Sequence, residues 1–317
     1  MKLIIQIPCF NEEKSLPVTL AALPREVEGF EKVEWLIIDD GCTDNTIEVA
    51  AAHGVDHIVR LSGHQGLARA FTAGLSACIR EGADVIINTD ADNQYNADDI
   101  PKLVQPILDG KADIVIGVRP IEEIRHFSPV KKILQKIGSY AVRFASRTRI
   151  PDAPSGFRAM NRNAAMRLNV FNEYTYTLET IIQAGQKGMA IRFVTVRTNE
   201  PLRPSRLIKS IPDYVVKSML TIVRIFMTYR PFRFFAVPGA IAFITGLLIS
   251  LRFVYFYATG SGAGHIQSLI LAAMLLGTGF FLCVVGLMAD LISVNRKLLE
   301  KIDWHIQELR EEAIKKR

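Results

Sequence analysis

DVIINTDADNQY, residues 84–95, is an apolar run that stops abruptly at Asp90, Asp92, Asn93 and Gln94. Part of that pattern is ordinary, because Asp and Asn bond their own backbone and accept tight conformations, and so end strands. Two carboxylates one residue apart just past a buried strand can also point into one cleft where the chain turns. With Gln94 they offer hard oxygen ligands of the kind that suit Mg²⁺ or Mn²⁺. A second acidic pair, Asp39 and Asp40, closes another apolar run, VEWLIIDD (33–40). Carboxylates gathered at one edge without a cation would repel, each raising the pKa of the other.

Working outward, KLIIQIPC (2–9), DHIVRL (56–61), ADIVIG (112–117) and MAIRFVTV (189–196) are similar short runs rich in β-formers. The segments between the first five carry apolar residues at three- and four-residue spacing. That alternation predicts an α/β fold with a mostly parallel, doubly wound sheet, its strands apolar on both faces where helices cover both sides. Ligands of such sheets bind beyond the carboxyl ends of the strands. There the sequence sets Pro8, Asn11 and Glu12 after the first run, Asp39 and Asp40 after the second, Asp90 and Asp92 after the fourth, and Gly117 and Arg119 after the fifth. Thr43 and Asn96 are the expected caps of the helices that follow, with acids near the positive end of each helix dipole. Beyond Arg119 the pattern predicts a basic helix at PVKKILQKIGSYAVRFAS (129–146), a loop at PDAPSGFRAM (151–160), and a helix at TYTLETIIQAGQKG (175–188) closed by Gly188.

The chain has 317 residues, nearly half of them apolar, so burying a core is no difficulty. The apolar residues are unevenly spread. Phe234–Leu251 and Ile266–Ala289 hold no charged side chain, and each reaches the roughly 20 residues needed to cross hydrocarbon. Arg224, Arg230 and Arg233 precede the first stretch, Arg296, Lys297 and Lys301 follow the second, and the loop between has no Lys or Arg. By the positive-inside rule both ends face the cytoplasm, and the large N-terminal part with them. Between the two parts, IPDYVVKSMLTIVRIFMTYRP (211–231) sets Val215, Met219, Ile222, Val223 and Phe226 along one face, as a helix lying among lipid headgroups would. The expected organisation is a cytoplasmic domain at 1–210, that juxtamembrane helix at 211–231, a transmembrane hairpin at 232–290, and a cytoplasmic C-terminal helix at 291–317. Apolar residues at near-helical spacing in the last segment leave open its association with further copies of the chain.

The net charge is +6, but the basic residues crowd toward the membrane-proximal half, which suits anionic lipid or a phosphorylated substrate better than nucleic acid. Cys9, Cys42, Cys78 and Cys283 have no paired metal spacing, so neither zinc nor a disulfide framework is indicated.

IPCFNEE, WLIIDDGCTDNT, GLARAFTAGL, DADNQYNADDIPKL, IGVR and SGFRAMNR stand in the order seen in family 2 glycosyltransferases. The ensemble resembles the dolichol-phosphate mannose synthase group and its bacterial polyprenyl-phosphate relatives over residues 3–210. The resemblance implies a GT-A type nucleotide-sugar-binding fold, a divalent metal (Mg²⁺ or Mn²⁺), a UDP- or GDP-linked sugar donor, inversion at the sugar carbon, and a polyprenyl phosphate acceptor, undecaprenyl or dolichyl. It sets Pro8, Asn11, Glu12 and Asp40 around the base and ribose of the donor, with Asp39 nearby. It sets Asp90 near the ribose or metal, and Asp92 and Gln94 on the metal. Arg119, and Arg203, Ser205 and Arg206 of LRPSRLIKS, become candidates for the acceptor phosphate and the leaving diphosphate, because Arg binds phosphate oxygens through a planar fork. Cys42 replaces the usual Ser of that family, and Lys131 and Lys132 stand where relatives commonly carry arginine. Glu179, in the apolar stretch YTLET, is read as orienting an Arg that binds the acceptor phosphate, as contacting the sugar hydroxyls, or as a solvent-facing helix acid.

Other functions fit less well. A processive polysaccharide synthase would want more spans and a Gln-x-x-Arg-Trp segment, and neither Trp35 nor Trp304 has that context. A dinucleotide oxidoreductase would want G-x-G-x-x-G after the first strand, which PCFNEE cannot supply. A non-catalytic membrane scaffold would have no need of the intact acidic cluster.

Overall fold

The computed structural model describes residues 1–120, 154–170, 176–200, 227–260 and 266–315, with residues 143, 220, 223 and 224 besides. The chain divides into two compact units, Met1–Met219 and Leu220–Arg317.

The first unit is a seven-stranded sheet. Strands β1 (Lys2–Cys9), β2 (Lys32–Asp39), β3 (His57–Arg60), β4 (Val85–Asn88), β5 (Ile114–Val118), β6 (Arg158–Asn161) and β7 (Ile191–Thr195) lie in the order β3-β2-β1-β4-β6-β5-β7. All pairings are parallel except those of β6, which runs antiparallel between β4 and β5. The predicted loop at 151–160 is therefore wrong at its end: Arg158–Met160 belong to a strand. Four residues led by a charged side chain carry no readable β pattern, and the fully buried Arg158 breaks the expectation that a central strand is apolar.

Alternation along β1 divides the core. Leu3, Ile5 and Ile7 join Trp35, Ile37, Val85, Ile87 and Val115 in a cluster with α1 (Leu16–Ala22) and α4 (Ile100–Leu108). Gln6 and Ile38 face α3 (Leu67–Arg80), which approaches so closely that a Cβ on Gly74 would lie 2.7 Å from Ile38 Cδ1. Each fully buried Ile or Leu contributes about 1.5–3 kcal/mol, so the sheet is the rigid platform of this unit.

Local signals account for the helix ends. Asn96 caps as expected, its Oδ1 accepting from Asp98 N at 2.9 Å at the 3₁₀ turn Ala97–Asp99 that precedes α4. Thr43 does not cap: α2 (Thr46–Ala52) starts three residues later, because Asp44 bonds Thr46 instead and Thr43 N donates to Asn11 Oδ1 at 2.8 Å. After α5 (Arg162–Arg167), helix α6 (Thr177–Gln186) ends as predicted near Gly188, at φ 68°. Gly117 lies within β5 rather than after it.

In the second unit, α7 (Pro231–Ala258) and α8 (Ile266–Lys315) are each long and apolar enough to cross a membrane. Only 11% and 17% of their most apolar windows are buried inside the chain, which distinguishes them from core helices of a soluble protein. They pack on each other through glycine: a Cβ on Gly279 would lie 2.6 Å from Gly239 O and from Phe243 N, and one on Gly246 2.9 Å from Ala272 O. Such close backbone approach is how helices associate where lipid removes the hydrophobic drive. Of the juxtamembrane segment 211–231, residues 211–219, 221–222 and 225–226 lie outside the described residues, as do Lys131, Lys132, Arg203, Ser205 and Arg206.

Candidate active site

The sheet opens between β1 and β4. Pairing of these strands stops at Gln6↔Asn88, where Thr89 N still bonds Gln6 O at 3.2 Å. Pro8 lies two residues further on the same side of β1 and has no N–H with which to continue the ladder. β1 has β2 on one side and β4 on the other, so this gap is the topological switch point, where open α/β sheets hold ligands.

The predicted residues from the first two strands line one side of it. Asn11 sits in the left-handed region at φ 55°, its side chain accepting from Thr43 N and its N–H donating to Cys42 Sγ at 3.3 Å. Buried Glu12 accepts from Ser15 Oγ at 2.5 Å, and its N–H donates to Thr46 Oγ1 at 2.8 Å. Asp39 accepts from Cys42 N at 2.8 Å. Asp40 accepts from Gln65 N at 2.7 Å and Gly66 N at 3.0 Å at the start of α3, and pairs with His64 Nδ1 at 2.9 Å. Both donors immediately precede α3, whose positive end favours a carboxylate there. His64 also stacks on Phe10 with ring centroids 3.9 Å apart. Asn11 and Asp40 thus hold the rim of the cleft in shape.

The other side is the knot that ends β4. Burial and the neighbouring Asp92 charge push the Asp90 carboxyl up to about 7, against the opposing pull of Arg119 and Arg158. Glu12 adds to the repulsion. Asp92 Oδ1 accepts from Gln94 N at 3.2 Å. Thus Glu12, Asp90, Asp92, Arg119 and Arg158 share one electrostatic neighbourhood, three carboxyl groups facing two guanidinium groups, with burial the largest influence on Asp90. Among the described residues no three His, Cys, Asp or Glu side chains form a ready metal cage. Hard oxygen ligands without a complete cage fit Mg²⁺ or Mn²⁺ held by one or two carboxylates and completed by substrate phosphates.

Raised proton affinity in Asp90 has a sign that can be tested. Its folded value lies above the ordinary 3.8, so the folded form holds the proton more tightly. Stability is then fully present below that ordinary value and is lost as pH rises through about 7. In EDTA the melting temperature is expected to fall from pH 5 to pH 8, and Asp90→Asn to flatten that fall. An equal slope in the variant would assign the effect to other groups.

Sequence reasoning missed the support beneath Asp90. Asn88, fully buried, donates to Gly156 O at 3.0 Å and pairs with Tyr176 Oη at 2.8 Å, while accepting from Gln6 Nε2 at 2.9 Å. Gly156 N donates to Tyr95 Oη at 2.9 Å, and a Cβ on Gly156 would lie 3.0 Å from both Asp90 oxygens. The signal was available: Gln6 and Asn88 are polar residues in two otherwise apolar strands, and the sheet sets them opposite each other. Arg158 donates to Thr180 Oγ1 and to Ser155 O, which holds a fixed positive charge behind the carboxylates. Glu179 is buried in the first turn of α6, so it is not a solvent-facing acid.

A further anchor ties the chain past β7 to the loop past β4. Asp99 is fully buried; burial alone would raise its carboxyl, but bonds from the side chain and backbone of Arg197 and from Lys102 outweigh that and bring it to about 2. Residues 197–199 are thereby laid against residues 93–96, with a bridge between Tyr95 and Thr198.

Comparison with known proteins adds the family. Residues 4–168 match the model of glycosyl transferase family 2. The chain is 26% identical over 208 residues to the polyprenol monophosphomannose synthase of Mycolicibacterium smegmatis, covering 62% of this chain and 77% of the relative. It is also 26% identical over 218 residues to the UDP-N-acetylglucosamine–dolichyl-phosphate N-acetylglucosaminyltransferase of Methanococcus voltae, covering 61% and 83%. Among solved structures, glucosyl-3-phosphoglycerate synthase from Mycobacterium tuberculosis, in complex with Mn²⁺, UDP and glucosyl-3-phosphoglycerate, superposes with a TM-score of 0.54 at 20% identity, over 70% of this chain and 79% of that one. At that identity the likeness concerns the fold.

Proposed function

The chain belongs to glycosyl transferase family 2, and from that premise we propose that it transfers a hexose, with inversion, from a nucleotide-diphosphate sugar to a polyprenyl phosphate. The observation that carries the reading is the meeting of the buried Asp90 carboxyl with Asp92 and Arg119 at the switch point of the sheet. Relatives named for mannosyl and N-acetylglucosaminyl transfer to lipid phosphates support it, and leave the sugar and the nucleotide open.

Each residue then has a task. Asp90, Asp92 and Gln94 would hold Mg²⁺ or Mn²⁺, which when bound neutralises the donor diphosphate and helps it leave. Asn11, Glu12, Asp39 and Asp40, with Pro8, shape the pocket for the base and ribose. Arg119, and by resemblance Arg203 and Arg206, bind phosphate oxygens of the leaving group or the acceptor. A phosphate monoester, with a second pKa near 6, is already largely ionised at neutral pH. The acceptor therefore needs no general base, and the protein's work is to align its oxygen with the anomeric carbon and stabilise the departing charge. α7 and α8 would anchor the chain at the membrane where the acceptor resides. In this reading residues 1–210 and both termini face the cytoplasm, a juxtamembrane helix occupies 211–231, the hairpin 232–290, and a cytoplasmic helix 291–317.

A second reading takes a soluble phosphorylated acceptor, as the name of the solved neighbour suggests. Two long, outwardly apolar helices favour the lipid. To test both, the purified protein is incubated with a panel of UDP- and GDP-sugars and either a short polyprenyl phosphate or 3-phosphoglycerate, and the products are weighed. The expected product is a lipid phosphate carrying one hexose, abolished by EDTA and restored by Mn²⁺ or Mg²⁺. Sugar on the soluble acceptor alone would replace this proposal with the second reading.

A further inference from the structure

Asn199 lies four residues past the end of β7, outside every motif considered above. Its N–H donates to Gln94 O at 2.9 Å, and its side-chain Nδ2 donates to Asn93 O at 2.9 Å and to Tyr95 O at 3.3 Å. One half-buried residue thus serves three successive carbonyls of the loop that bears Asp92 and Gln94. Those carbonyls lie beyond the end of β4, where no strand ladder supplies donors, and each needs one. The loop also needs holding, because Asn93 stands in the left-handed region at φ 56°, which Asn tolerates rather than prefers. Since Asp92 Oδ1 bonds Gln94 N, a rotation of the peptides at residues 93–94 would alter the spacing of both side chains. Beside it, Arg197 O accepts from Asn96 N at 3.2 Å and the Arg197 side chain bonds Asp99, which holds the adjoining 3₁₀ turn.

We propose that Asn199 is a positioning residue for the cation-binding loop, fixing the separation and direction of the Asp92 and Gln94 oxygens by donating to the carbonyls between and beside them. The inference rests on reading that loop as a divalent-metal site. Asn199 touches neither metal nor substrate. Its contribution is geometric, and outer partners of this kind alter affinity by restricting where the ligands can go.

Mn²⁺ binding to the full chain in detergent, with UDP or GDP in excess, can be read from loss of the free-ion electron paramagnetic resonance signal, independently of turnover. Asn199→Ala is expected to raise the apparent dissociation constant by about tenfold. Asn199→Asp preserves size and the backbone bond but removes the side-chain donor. The carboxylate it introduces would attract a cation, so weakened binding there can come only from the lost carbonyl contacts. Arg25→Ala, which breaks the ion pair with Asp56 and the contact over the Trp35 ring, away from the loop, is expected to lower the melting temperature while leaving Mn²⁺ binding unchanged. Wild-type affinity in both Asn199 variants, or an equal loss in Arg25→Ala, would overturn the assignment. A wild-type chain that binds no Mn²⁺ would remove the metal reading, and this inference with it.

Discussion

Asp92→Ala is expected to cut transfer by roughly 10²- to 10³-fold, the range seen when a preorganised charge-stabilising group is removed. Little stability should go with it, because the carboxylate is only half-buried and its bond from Gln94 N at 3.2 Å is worth about 1 kcal/mol net. A second consequence separates this from a general disturbance. The Asp92 charge raises Asp90, so its removal should let Asp90 ionise at lower pH and shift the pH-dependent loss of melting temperature in EDTA in the same direction. Asp92→Asn should behave alike in both respects. Turnover within a few-fold of wild type would take Asp92 out of the site, whatever happened to stability.

The other large effect is expected in the helix pair. At Gly279 a Cβ would lie 2.6 Å from the backbone at Gly239 O and Phe243 N, and neither can move without moving α7. Gly279→Leu should therefore separate the two helices and destabilise the pair beyond the roughly 1–3 kcal/mol of ordinary overpacking. A built-in reporter exists, because a Cβ at Gly239 would lie 3.1 Å from Cys283 Sγ. In a Gly239→Cys background, oxidation should join that residue to Cys283, and Gly279→Leu should suppress the bond. Undiminished cross-linking together with an unaltered melting temperature would show that the helices do not depend on this contact.

Sequence reading reached the fold wherever side chains repeat a simple pattern. β1, β2, β4 and β5 are apolar runs ending in turn-formers, and the uncharged stretches of α7 and α8 are long. β6 was illegible because Arg158 is bonded within the core to Thr180 and Ser155, partners that no local pattern announces. Thr43 misled for a related reason: its hydroxyl suits a cap, but Asn11, 32 residues away, claims it. For the site, carboxylates could be picked out because acids at strand ends are conspicuous. The groups that orient them, Asn88, Tyr176 and Asn199, act through long-range contacts, and their chemistry is common enough to pass for filler.

The reversed direction of β6 has one further consequence. β5 ends at the cleft with Val118, and β6 begins there with Arg158, so the chain between them leaves from the reactive rim and returns to it. A parallel strand in that place would have returned at the opposite edge. Both ends of the connection from Val118 to Arg158 therefore lie at the cleft, so an insertion or deletion within it would be felt at the mouth of the site before it reached the strand register.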